Sequence, residues 1–456
     1  MAALTWMAER SLLAGAALAC LSISLGGAFY PAEGIVAGLA AAVTVAVCAL
    51  ARTGRLEPEE LLLGGLIVWA TLGALVSTAA PLAAKEQLVA WLVAWMLYVG
   101  GRRSSAAQGL ALAALAVTTG LMAMSALLDF ATNRSVRAGG LFESPNILAA
   151  LIVPALPAVT WWLWTRSRAG ACAFGILGTL AVGLSSSRAG VLALVVGLGV
   201  LLPPGRKRAV AVASAFCLAV ALIAYRFVAR PDSLAWFRLE IWKAAATLVA
   251  AHPVLGVSAG ALPDASGTVR IAHVGRVAIH QYHMSSADST ILGIAVETGL
   301  VGLLLVALAL CAAVWRRSEP GRRSRVLCAT SAAMATLAVF HDFVGVAVVL
   351  WWWAVILAIL TPLSSTSGKP SLPRCLVASA LAWTVLWGLA QPALARFLWD
   401  ASPRDRTSVD RAMRLEPWLA EAAQYRVRAL LAQPEWSRRH AAEALYWSRR
   451  AEIVHS

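Results

Sequence analysis

TILGIAVETGLVGLLLVALALCAAVW (290–315), followed at once by RRSEPGRRSR (316–325), decides the fold. The first segment holds one ionisable side chain, Glu297, and the second holds five arginines. A run of about 20 apolar residues crosses a bilayer core as a helix, and arginines pile up where a span leaves it. Twelve further apolar runs repeat the theme, at 11–30, 34–51, 61–80, 87–101, 106–130, 146–165, 169–187, 189–202, 209–229, 326–341, 343–362 and 375–399. The run at 189–202 is short, so the expectation is an all-α polytopic protein of 12–13 transmembrane helices. The first run follows Glu9 and Arg10 and shows no small-residue cleavage site, so it reads as a span and not as a cleaved signal.

Composition agrees. Of 456 residues, 60% are hydrophobic and 13% charged, with a mean hydropathy of +0.74. A soluble domain is roughly 45–50% apolar and about 25% charged. One water-facing globule cannot hide this much apolar surface, which excludes a soluble enzyme, a disulfide scaffold and a disordered chain. The seven cysteines lie in apolar stretches and show neither disulfide nor zinc spacing.

A net charge of +15 would ordinarily raise nucleic acid as a partner. The positions of the charges remove that reading. Arg52/Arg55, Arg102/Arg103, Arg166/Arg168, Arg206–Arg208, Arg316–Arg325 and Lys369/Arg374 fall in alternate breaks. By the positive-inside rule these loops are cytoplasmic. Two of them flank 169–202, so that stretch crosses twice and SSSRAG (185–190) is its outward turn. The opposite side holds 131–145, a long loop at 230–289 and, with thirteen spans, the tail. Residues 1–399 therefore form one membrane domain. Residues 400–456 are charged, with helical periodicity, and AMRLEP (412–417) before a helix pair is similar to a piece of tetratricopeptide repeat. Such a tail either packs on its own membrane domain or docks a partner.

Four groups on the outward side can carry chemistry. Arg134 and Arg137 sit on a Gly-rich loop before Ser144-Pro145, which fit the N-cap and first position of the next helix. They serve either phosphate, which guanidinium matches bidentately, or simple headgroup contact. Arg188 stands at a hairpin tip among three serines, where a charge near hydrocarbon lines a polar cavity or snorkels. The long loop opens with helical periodicity over 236–246, expected at the membrane surface. It carries Arg238, then His252, His273, His280, His283 and Asp288. Histidine is a good general base near neutrality, whereas no third ligand or D-x-D pair points to a metal. Glu297, deep in an apolar helix, needs a partner. It either forms an ion pair with an arginine such as Arg188 or Arg238, or takes part in catalysis. No cofactor motif is present. Outward arginines with a base suit a diphosphate leaving group stabilised without metal.

RAGGLFESPNILAALIVPALP (137–157), SSSRAGVLAL (185–194), RLEIWKAAATLVAAHPVLGVSAG (238–260) and DSTILGIAVETGLVG (288–302) come in the order found in the O-antigen ligase and Wzy-type polymerase superfamily, which the chain resembles over 137–302. The resemblance implies a GT-C-like glycosyltransferase of the bacterial inner membrane with a periplasmic site. The donor it implies is an undecaprenyl-diphosphate-linked glycan. The acceptor is lipid A-core for a ligase, or another lipid-linked glycan for a polymerase. By position, Arg188 and Arg238 (with Arg137 and Arg134 nearby) are the expected donor-diphosphate residues, and Glu297 opens the glutamate–glycine element. Ligases commonly carry histidine nine positions before that glutamate. Here the slot is Asp288, followed by Ser289, an arrangement similar to polymerase-like members. The base is then Asp288, or His283 or His280 from just upstream. Ser258 stands where a glycine is expected. A membrane transporter, the rival class, would show repeat symmetry between halves, which the sequence lacks. Membrane lipids, and polysaccharide-assembly proteins bound through the tail, complete the expected partners.

Overall fold

The computed structural model describes residues 56–361, apart from 78–80, 103–107, 134–136, 143, 203–204, 206–233, 270–283, 285 and 316–320. The apolar runs at 11–30, 34–51, 209–229 and 375–399 and the tail at 400–456 lie outside the described residues, as do Arg134, His273, His280 and His283. Within them the chain is all-α: α1 (Pro58–Val76), α2 (Pro81–Arg102), α3 (Gln108–Asn133), α4 (Pro145–Trp164), α5 (Arg168–Ser185), α6 (Arg188–Leu201), α7 (Leu234–Ala251), α8 (Leu262–Ser266), α9 (Thr290–Trp315), α10 (Arg322–Phe340) and α11 (Ala347–Leu360). Five of these are long and apolar enough to cross a membrane: α1, α4, α5 and most of α3 and α9. Each of the nine apolar runs within the described region is a helix, including the short one at 188–201.

Helix α4 is the hub. It packs against α3, α5, α6, α10 and α11, and residues from Leu148 to Val159 are buried without a break. A helix apolar on every side belongs in the middle of a bundle. It also contains Pro154 and Pro157. Proline has no N–H, so Pro154 leaves the Ala150 carbonyl without its helical donor. The indole of Trp353 donates to that carbonyl at 2.9 Å, and its neighbour Trp352 donates to the Leu151 carbonyl at 2.8 Å. In a bilayer no water can fill such a vacancy, so a neighbouring helix must. Trp353 of α11 meets this demand.

A second layer is formed by the α1–α2 pair, which packs against α9 and α11. At one end of this layer Arg102 is buried between carboxylates. Its Nη1 donates to Glu60 Oε1 at 2.9 Å, and its Nη2 lies 2.9 Å from Glu59 Oε1, as a charge contact without the alignment of a hydrogen bond. Its Nε donates to the Thr361 carbonyl at 2.9 Å, closing the C-terminus of α11. Arg102 belongs to the loops expected to set topology by charge, yet it is a packed structural group.

Helix α9 is broken. Gly299 has φ 70° and ψ −176° inside it. The segment from Pro253 to Ser258 fills the gap: Leu300 N donates to Pro253 O at 2.8 Å, Val257 N to Val296 O at 2.8 Å, and Ser258 N to Glu297 O at 3.2 Å. The Trp69 indole donates to Thr298 O at 3.0 Å. A Cβ on Gly299 would lie 2.1 Å from the Val254 carbonyl oxygen, so only glycine fits. The HPVLGVSAG and ETGLVG motifs are thus two halves of one structural device. Helix α7 precedes it and packs on α9, burying Ile241, Ala244, Ala245 and Leu248 against Leu262, Met284, Ala287 and Val296. The helix expected at 236–246 is present and longer, and this face of it meets protein.

Candidate active site

The ends of α3, α5 and α10 meet the starts of α4, α6, α9 and α11 at one end of the bundle, opposite Arg102. Ser186 turns between α5 and α6 with φ 52°, and Ser187 caps α6 by accepting the Gly190 N–H at 3.3 Å. The turn expected at 185–190 is therefore present, and Arg188 stands at the first position of α6, half-buried. Ala138 N donates to Leu184 O at 3.1 Å, which ties the Arg137 loop to this turn.

The Gly-rich loop is not an open anion cradle. Gly139 N and Gly140 N both donate to Asp129 Oδ2, at 2.9 and 3.1 Å. Gly140 has φ 62°, and a Cβ there would meet Ser125 Oγ at 2.6 Å. The two N–H groups that a phosphate would take are filled by a carboxylate from α3. Ser144 takes the N-cap position and Pro145 the first, as expected, but the Ser144 side chain makes no capping bond. What remains outward is Arg137, whose Nη2 donates to Asn146 Oδ1 at 3.1 Å.

Arg238 and Asp288 face one another. Arg238 Nε is 3.6 Å from Asp288 Oδ2, and both side chains keep substantial exposure, 37% and 29%. Asp288 has φ 51°, in the left-handed region that few non-glycine residues adopt. Burial pushes its carboxyl above the ordinary aspartate range, against the opposing pull of Arg238 and of a hydrogen bond from Ser286. A carboxylate made more basic yet still held beside a guanidinium is suited to proton abstraction.

Two groups that sequence reasoning passed over complete the cluster. His341 and Asp342 lie in the short break between α10 and α11. Burial, then the charges of Arg238 and Arg137, holds the His341 imidazole down to about 3, so the ring is neutral at physiological pH. Asp342 accepts from Ala287 N at 2.9 Å through Oδ2 and from Val344 N at 3.0 Å through Oδ1. Burial raises its carboxyl too, with the charge of Asp288 adding to it. The signal was an F-H-D break (340–342) holding two titratable residues and no basic one.

Glu297 sits deeper, 5% exposed. It does not pair with Arg188 or Arg238. It accepts a hydrogen bond from Gln87 Nε2 of α2 and from the Gly260 backbone, which ties α9 to α2 and to the 252–261 segment. Ser258, in the position where glycine is expected, has φ 98°. Its hydroxyl is buried without a partner.

Residues 146–307 match the family model described as O-antigen ligase. Over those residues the chain is similar to the O-antigen ligase family. The match supports a membrane enzyme of glycan biosynthesis, of ligase or polymerase type. No curated protein matches the chain. The O-antigen ligase segment contains Arg188, Arg238, Asp288 and Glu297, whereas Arg137, His341 and Asp342 reach the same cluster from outside it.

Proposed function

We propose that the protein is a bacterial inner-membrane glycosyltransferase acting on the periplasmic side, which transfers or polymerises glycan from an undecaprenyl-diphosphate-linked donor. The observation that carries this reading is the partly exposed Arg238–Asp288 pair, at the bundle end away from the basic loops. In a single inverting displacement an acceptor hydroxyl oxygen bonds to the anomeric carbon. Asp288 takes the hydroxyl proton. The bond between that carbon and the diphosphate oxygen breaks, its electron pair leaving with the diphosphate. Arg238 and Arg137, with Arg188 and Arg134, hold the developing negative charge, a task for preorganised guanidinium groups. His283 and His280 stand upstream as auxiliary bases. The acceptor is lipid A-core in a ligase and a second lipid-linked glycan in a polymerase. Asp288-Ser289 in the slot where ligases carry histidine favours the polymerase. A transporter is disfavoured, since the break in α9 is filled by backbone and Trp69. The tail is proposed to dock polysaccharide-assembly partners.

Membranes from cells lacking the gene, complemented with wild type, Arg188→Ala or Arg238→Ala, test this. The wild type restores long glycan chains and the variants accumulate in the membrane without restoring them. A single-repeat glycan in the deletion marks a polymerase, and lipid-linked polymer marks a ligase. Normal surface polysaccharide with both variants removes the assignment.

A further inference from the structure

Residues 287–293 are clamped by the break between α10 and α11. Thr290 donates to the His341 carbonyl twice, from N at 2.9 Å and from Oγ1 at 2.7 Å. Phe343 N returns a bond to Thr290 Oγ1 at 3.0 Å. Asp342 Oδ2 accepts the Ala287 N–H at 2.9 Å, one residue before Asp288. The carboxylate also lies against α9 itself, where a Cβ on Gly293 would stand 2.8 Å from both of its oxygens. These bonds close around a residue, Asp288, whose backbone sits in the left-handed region at φ 51°. Such a conformation costs of order 1–3 kcal/mol and persists only where its surroundings enforce it.

We propose that Asp342 is the positioning residue of the transfer site. Its carboxylate accepts the N–H of the 286–287 peptide and so holds the turn in which Asp288 meets Arg238. The proposal rests on the reading of Asp288 as the base. Charged and titratable groups around the pair come from every packed element: Arg238 from α7, Glu297 from α9, Arg137 from the loop before α4, and His341, which stays neutral. Among them Arg238 favours the ionised Asp288, and the charge of Asp288 in turn raises the carboxyl of Asp342.

The test is the kcat and donor KM of glycan transfer by the purified full chain in nanodiscs, with a synthetic polyprenyl-diphosphate glycan as donor. Asp342→Asn keeps one oxygen for two N–H donors and removes the charge. It is expected to lower kcat roughly tenfold or more while donor KM stays within about twofold. Asp342→Glu keeps both acceptor oxygens and recovers part of the lost kcat. Gly293→Ala pushes the carboxylate aside without altering its chemistry, so kcat falls with KM unchanged, and this variant decides the matter if Asp342→Asn fails to accumulate. A KM that rises in step with the loss of kcat, no recovery of kcat in Asp342→Glu, or wild-type kcat in Gly293→Ala overturns the proposal. Asp288→Asn run alongside separates the two levels. If it transfers normally, the base reading falls and this proposal with it. If it is inactive while Asp342→Asn behaves as wild type, only this proposal falls.

Discussion

Arg102 and Arg238 are the same side chain put to opposite uses. Arg102 is 1% exposed, touches two carboxylates at 2.9 Å and closes a helix end at the Thr361 carbonyl. Arg238 is 37% exposed and meets one carboxylate at 3.6 Å. Burying a guanidinium is repaid only when its donors are met at good geometry, and Arg102 satisfies that condition. Arg238 holds a long, open contact with Asp288, leaving guanidinium donors facing outward for an anion. In a membrane protein the arginine with the fewest and loosest partners is the one to suspect of chemistry, and the best-paired arginine is architecture.

The sharpest way to break this comparison is to remove each arginine. Arg102→Ala leaves Glu59 and Glu60 buried without their cation, a loss of about 3–5 kcal/mol. Its expected readout is a collapse in membrane accumulation and in the detergent melting temperature. Arg238→Ala should leave both unchanged and lower turnover by roughly 10²–10³, the usual cost of one transition-state donor, measured as transfer per mole of folded protein. Reversed phenotypes would invert the assignment of roles.

A smaller effect concerns protons. Asp288 acts when ionised, so activity is present above its pKa and lost as pH falls through it. Since burial raises that pKa, the loss begins at higher pH than for an ordinary aspartate. Arg238 lowers it, so Arg238→Gln should shift the acid limb of the remaining activity upward. A pH–rate series on this variant and the wild type reads the direction. The smallest effect lies at Ser258, with φ 98° and an unpartnered buried hydroxyl. Ser258→Gly relieves backbone strain of about 1 kcal/mol and should raise Tm by roughly 1–3 °C with transfer unchanged.

The helices were legible because bilayer crossing leaves a long apolar signature that tertiary packing cannot override, and each described run is a helix. The glutamate–glycine element was legible as a motif but not as an object. Nothing local in ETGLVG shows that Gly299 breaks α9 or that HPVLGVS plugs the break, since the two pieces meet only through backbone hydrogen bonds across forty residues of chain. Asp129 was invisible for the same reason: an aspartate near the end of an apolar helix gives no sign that it will occupy the Gly139–Gly140 amides. Arg188, Arg238 and Asp288 were found because charge on the outward side of so apolar a chain demands a reason. His341 and Asp342 were passed over because their break is short and they belong to no motif. Of the two uses open to Glu297, the ion pair is not formed, because a neutral amide, Gln87, answers a buried carboxyl as well as an arginine does.

The most direct test of the whole account is Asp288→Asn in nanodiscs, with donor binding and single-turnover transfer measured on the same sample. The account predicts that the polyprenyl-diphosphate donor still binds, because Arg137, Arg188 and Arg238 remain, while transfer falls by about 10²–10⁴, the usual contribution of a general base. Transfer at the wild-type rate would contradict it.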